Sequence, residues 1–146
     1  MRFLIILLAV ILFGAELRIS SKKFEYNSKN LISIFIGDVN ATKGEDTILS
    51  DKLYIYFTKD KKPFKFEAIG HVRFKFKDEN VTYVGHCNEL IYLLKKGLIT
   101  LKGDAFVRKV ETNESVSGDF IKINRFTQNV VVLGGKKPVN IIIKVE

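Results

Sequence analysis

Three asparagines of this 146-residue chain sit in the same five-residue setting, acid-x-Asn-x-hydroxyl: Asp38-Val39-Asn40-Ala41-Thr42, Asp78-Glu79-Asn80-Val81-Thr82 and Glu111-Thr112-Asn113-Glu114-Ser115. Asn-x-Ser/Thr is the acceptor pattern for N-linked glycan, in which the side-chain amide nitrogen receives the sugar. With an acid two residues before the asparagine, the extended form resembles the acceptor of bacterial periplasmic N-glycosylation. The same residue types gather in turns because their short side chains hydrogen-bond nearby backbone. All three segments fall in expected turns or strand ends, so Asn40, Asn80 and Asn113 are candidate modification sites and candidate turn formers alike.

The remaining reactive inventory is thin. His71 and His86 are the only histidines, each directly after a glycine, and Cys87 is the only cysteine. No paired histidines or Cys-x-x-Cys stand at metal-ligand spacing, and there is no Gly-x-Ser-x-Gly elbow or phosphate loop. Asp38, Asp51, Asp104 and Asp119 fall at repeat positions, where a turn or a solvated edge accounts for them. Catalysis needs a nucleophile beside a base, a metal site or a tuned carboxylate pair. No catalytic residue, metal or cofactor is therefore expected, and a carrier is favoured over an enzyme. One cysteine cannot close an internal disulfide, and Cys87 reads as a small buried apolar residue.

The elements that position these residues begin after a short leader. Met1-Arg2 is a cationic start, Phe3 to Phe13 is unbroken apolar sequence, and Gly14-Ala15 precedes the charged Glu16. That pattern predicts a secretory signal over residues 1–15 and one domain over 16–146, since a membrane-spanning helix needs about 20 apolar residues. Retention of the segment would instead make it an N-terminal anchor. The formal net charge is +8, which suggests an anionic partner, and export turns that expectation from nucleic acid towards lipid, glycan or protein.

Glycines recur 33 residues apart in Gly37-Asp38-Val39, Gly70-His71-Val72 and Gly103-Asp104-Ala105, with a looser copy from Gly134 to Val139. Such a period marks one supersecondary unit repeated. Between these glycines the pattern alternates as strands do: Val72, Phe74 and Phe76 against Arg73, Lys75 and Lys77, or Leu53, Ile55 and Phe57 against Tyr54 and Tyr56. Turn-rich pieces separate the runs, and no stretch after the leader holds a helical period. An all-β domain of ten to thirteen antiparallel strands is predicted, with the glycines at bulges or bends.

The alternation of Phe35-Ile36-Gly37-Asp38-Val39 with Ile48-Leu49-Ser50-Asp51-Lys52-Leu53-Tyr54, repeated through Ala68 to Val72 and Leu101 to Ala105, resembles the OstA-like family of lipopolysaccharide-transport proteins. The resemblance implies an incomplete, twisted β-jelly roll with an open apolar groove, stacked end to end in a bridge that moves lipopolysaccharide between the two membranes. Its implied partners are the lipid A portion of lipopolysaccharide, an inner-membrane transporter subunit, an outer-membrane translocon and further copies of itself, with no nucleic acid. Leu53, Ile55, Phe66, Phe74, Phe76, Leu90 and Ile123 share the inward phase and are the candidate groove residues, or simply core. Basic residues in the turns, Lys59, Lys61, Lys62, Lys95 and Lys96 among them, are a solvated face or a phosphate-binding mouth. Val139, Ile141, Ile143 and Val145 form an apolar, β-branched C-terminal run that is expected to be an edge open to docking. The alternatives are a membrane-anchored subunit of the same system and an interaction module that binds no lipid.

Overall fold

The structure is a computed structural model that describes residues 16–145. All regular structure among these residues is strand: β1 (Leu17–Ser20), β2 (Lys23–Asn27), β3 (Ile32–Lys43), β4 (Asp46–Phe57), β5 (Pro63–Asp78), β6 (Val81–Leu93), β7 (Leu98–Lys109), β8 (Ser115–Asn124), β9 (Val130–Leu133) and β10 (Asn140–Ile142). They form one antiparallel sheet in the order β1-β3-β4-β5-β6-β7-β8-β10, with β2 also on β3 and β9 also on β8. The long strands follow the chain as a meander, because each hairpin turn is short and polar. The expected leader at residues 1–15 lies outside the described residues.

Each repeat glycine is a bulge. The β3–β4 register slips between Ile36 and Val39, β5–β6 between Ile69 and Val72, and β7–β8 between Lys102 and Ala105. Gly37, Gly70 and Gly103 have φ of +88°, +87° and +78°, and the next residues, Asp38, His71 and Asp104, lie at +45° to +49°. Two successive left-handed residues turn the strand sharply, and the first position favours glycine. At Gly70 space adds a second reason, since a Cβ there would come within 2.5 Å of the Asp51 carboxylate.

Because the bulges line up from strand to strand, the whole sheet folds over along one line. The halves joined by the turns at residues 44–45, 79–80 and 110–114 form layer A, and those joined by the turns at 58–62, 94–97 and 125–129 form layer B. Phe76 of layer A illustrates the closure. Its ladder partner is Tyr83, yet its ring packs 6.1 Å from that of Tyr92 in layer B. The side chains between the layers are the inward set: Leu53, Ala68, Val72, Leu90, Leu101 and Ile121 have no solvent exposure. Burying one such Leu or Ile is worth about 1.5–3 kcal/mol. This is an all-β, open antiparallel sheet of the expected kind, with ten strands among the described residues.

The N-terminal edge is made of two short strands. β1 pairs with residues 40–43 of β3 in layer A, β2 with residues 32–36 in layer B, and the break between them faces the Gly37 bulge. The other edge is built alike, with β10 on residues 115–117 and β9 on 120–123 of β8. The C-terminal strand is shorter than the apolar run suggests. β10 runs antiparallel to β8, and its Ile142 already faces Ser115, the first residue of β8, so the ladder has no partner left for Ile143.

Candidate functional site

Opposite the bulge line, the turns of the two layers meet along a seam, and cavities lie beneath it in a row. One of about 340 Å³ opens towards the β1 edge, lined by Leu17, Ile48, Phe66, Tyr92, Leu94 and Phe126. Another of about 280 Å³ opens at the β10 edge among Tyr83, Val107, Ile123, Val130, Ile141 and Ile143. Between them is a void of about 10 Å³ that shares Phe76, Asp78 and Arg125 with the first and Tyr83, Ile123 and Gln128 with the second. The arrangement is a row of largely apolar cavities from edge to edge, a channel interrupted midway where Asp78 and Arg125 leave only the small void. The 340 Å³ end falls at the lower limit of ligand-sized cavities, about 300–1,000 Å³.

Arg125 makes the pinch. It follows β8 in a layer B turn, where its backbone N–H donates to Gly97 O at 2.7 Å, and its side chain crosses the seam to layer A. Nη1 donates to Asp46 Oδ2 at 2.8 Å and to Tyr92 Oη at 3.1 Å, while Nε donates to both carboxylate oxygens of Asp78 at 3.2 Å. The guanidinium also lies 5.1 Å from the centroid of Phe76 and 5.8 Å from that of Tyr92. Asp46 is held in turn, accepting the Lys77 backbone N–H at 3.0 Å. Only 12% of the arginine side chain is exposed. Burial works against its charge, but the hydrogen bonds to Asp78 and Asp46 outweigh burial and raise its pKa above the ordinary arginine value.

The seam's two rims differ in charge. The layer A turns present Glu45, Glu79, Glu111 and Glu114, and the layer B turns present Lys59, Lys61, Lys62, Lys95 and Lys96. Arg125 is thus a layer B cation seated on layer A acids. Two carboxylates against one guanidinium leave the pinch with a formal excess of one negative charge, while the lysines gather on the layer B rim.

The seven expected groove residues are all buried, and the structure divides them. Phe66, Phe76 and Ile123 line the cavities, Leu53 and Leu90 sit deeper, towards the fold line, and Ile55, the ladder partner of Phe66, is buried without lining any of the three. Phe74 abuts Gly85, where the missing side chain thins the wall beneath an outer depression near Arg73 and His86. Leu17, Tyr92, Leu94, Arg125 and Phe126 join the site although sequence reasoning did not single them out. A position near a strand end in the inward phase would have flagged Tyr92, but nothing local marks Arg125. Of the C-terminal run only Ile141 lies within β10, and Val139, Ile141, Ile143 and Val145 are all exposed. Cys87 is buried, and that burial pushes its thiol pKa up to about 12, so the thiol is inert. Asn40, Asn80 and Asn113 are exposed.

The family model of LptA/(LptD N-terminal domain) LPS transport proteins matches residues 18–129. No curated protein matches the chain in sequence. Among solved structures the chain is similar to LptH, described as the LptA homologous periplasmic component of the conserved lipopolysaccharide transport device from Pseudomonas aeruginosa. The TM-score is 0.79 at 14% identity, over 90% of this chain and 96% of that one. At that identity the likeness speaks for the fold alone.

Proposed function

The chain belongs to the LptA/(LptD N-terminal domain) family of LPS transport proteins, and we propose that it is the periplasmic carrier that forms part of a lipopolysaccharide bridge between the two membranes. The observation that carries this reading is the row of largely apolar cavities under the seam, one opening at each sheet edge, where a stacked copy would extend it. Acyl chains of lipid A lie in the channel, and its phosphates meet the lysines of the layer B rim. Passage requires the Arg125 clasp to let go of Asp46 and Asp78, so the seam works as a latch. Residues 1–15 act as a cleaved leader that delivers the chain to the periplasm. The β9/β10 edge docks a strand of the next copy, of the inner-membrane transporter subunit or of the outer-membrane translocon.

A photo-crosslinking side chain placed at Phe66, Phe76 or Ile123 in cells tests the channel. Lipopolysaccharide adducts are expected at all three positions and weaker ones at Leu53 and Leu90. Adducts confined to the outward Arg73 and Lys75 would move the lipid to the other face of the sheet and end this reading.

A further inference from the structure

We propose that Asn40, Asn80 and Asn113 are acceptors of N-linked oligosaccharide and that transfer precedes closure of the sheet. The chain has nine asparagines, and three are followed two residues on by Ser or Thr; all three of these also have an acid two residues before. At this composition, random placement would give the five-residue pattern about once in ten such chains. Turn chemistry explains Asn80 and Asn113, which lie between strands, but not Asn40, which sits inside β3 paired with Ser20 and Leu49.

The three sites share a place in the fold. Asn40, Asn80 and Asn113 all belong to layer A or its turns and all are exposed, so a glycan on each projects away from the core. Layer B and its lysine rim stay clear.

The folded chain hides what a transferase must read. At Asn80 the preceding acid, Asp78, is bound by Arg125, and the following Thr82 is buried with its N–H donated to Glu111 Oε1 at 2.9 Å. At Asn40 the flanking backbone is locked in β3. Asn113 is the most accessible of the three, with Glu111 exposed and Ser115 half-buried, although Glu111 Oε1 accepts the Thr82 N–H and Asn113 Oδ1 accepts from Arg108 Nη1 at 3.0 Å. In the transfer, the Asn Nδ2 displaces the pyrophosphate of a polyprenyl-pyrophosphate-linked oligosaccharide. The C1–N bond forms as the C1–O bond to phosphate breaks, and Nδ2 gives up one proton. Chain still emerging from export presents all three sites, and folded chain presents Asn113 alone.

The test is intact mass and glycopeptide mapping of the full-length chain exported in a bacterium that carries a periplasmic oligosaccharyltransferase and its lipid-linked glycan, beside a reporter known to be modified there. Up to three equal mass increments are expected. Each of Asn40→Gln, Asn80→Gln and Asn113→Gln removes one, Glu111→Ala removes the Asn113 increment, and Glu111→Asp keeps it. Purified folded protein given the enzyme and glycan donor in vitro should gain one increment, at Asn113. An unmodified chain beside a modified reporter overturns the proposal, as do increments that survive the triple Asn→Gln variant. Three increments on prefolded protein would overturn the order of events. Circular dichroism confirms that each variant folds.

Discussion

Both edges of the sheet end in a pair of short strands, one on each layer, but β1 and β2 carry charge where β9 and β10 carry bare hydrocarbon. On the first edge Leu17 is buried under the seam, Phe24 packs 4.9 Å from the Phe35 ring, and Arg18, Lys22, Lys23 and Glu25 form ion pairs with neighbouring acids and lysines. On the second edge Val130, Val131, Leu133, Ile141, Ile142 and Ile143 are all exposed, from 43% to 64%. Soluble proteins blunt their edges with charge or cover, and a cluster of exposed apolar side chains marks an interaction surface. The contrast teaches that the two edges are not equivalent partners of one another's copies. One is a finished surface with a cavity behind it, and the other is a surface that needs cover.

The largest expected effect comes from removing what keeps the cavities at the two edges apart. Arg125→Gln leaves Asp46 and Asp78 facing each other with no cation between them. Breaking a largely buried pair from one side costs about 3–5 kcal/mol, and the partial exposure of the two acids argues for the lower part of that range or slightly less. Urea unfolding should show a loss of about 2–4 kcal/mol, and Arg125→Lys should not restore it, because an ammonium cannot span two carboxylates and a tyrosine in fixed geometry. In protein that remains folded, uptake of an acyl probe should rise as the two cavities join. A loss under about 0.5 kcal/mol with unchanged uptake would mean that the clasp neither holds the seam nor pinches the channel.

The next effect tests the apolar edge itself. In an antiparallel edge strand, alternate N–H groups point outwards, so Ile141→Pro and Ile142→Pro between them remove a donor on each side. At least one should weaken self-association about 10- to 100-fold, equal to about 1.4–2.8 kcal/mol, with the circular dichroism unchanged. If copies stack head to tail, Ile19→Pro on the charged edge also stops growth, and a mixture of the two variants gives a dimer that goes no further. A lone Ile19→Pro variant that still dimerises would show instead that two apolar edges meet each other. Sedimentation velocity separates these outcomes.

Much of this was legible in the sequence, for reasons that are local. The bulges could be read because glycine spacing repeats whenever strand length repeats, and the inward set because strand alternation is a two-residue rule, as Val72, Phe74 and Phe76 show. The division of that set into channel wall and deep core was not legible. It depends on distance from the fold line, so Phe66 and Phe76 line the channel while Leu53 and Leu90, in the same phase, do not. Arg125 lies 79 and 47 residues from its carboxylates. In a flat sheet β4 and β8 would be about 19 Å apart, and only the fold-over brings the three side chains together. The break between β1 and β2 carries no glycine that would mark it in the sequence. Lys22 fills that position, its side chain against the Gly37 bulge.

The smallest expected effect concerns the connectors that join the two short strands at each edge, where the comparison is closest. On the first edge Lys22 reaches Asp38 at 3.2 Å, and on the second Lys137 reaches Asp104 at 2.9 Å. Both acids follow a bulge glycine in the left-handed region, which asparagine tolerates as well as aspartate, so Asp→Asn removes charge without straining the backbone. Lys137 also faces Asp119, whose Oδ2 accepts its backbone N–H at 3.3 Å, and His86 is within electrostatic reach of Asp104. The hydrogen bond and charge of Lys137 hold the Asp104 carboxyl below its ordinary pKa. A depressed carboxylate favours the ordered loop above the ordinary carboxylate range and loses that contribution as pH falls through its lowered value. Both partners are well exposed, so the effect is small. Self-association through the apolar edge should weaken about two- to three-fold once the pH falls below the lowered Asp104 value, and Asp104→Asn should produce the same loss at pH 7 and flatten the acid response. Asp38→Asn, at the charged edge, should leave the acid response unchanged. If Asp104→Asn leaves both affinity and pH response as they were, the β9–β10 loop is ordered without the pair, and the apolar side chains alone define the docking edge.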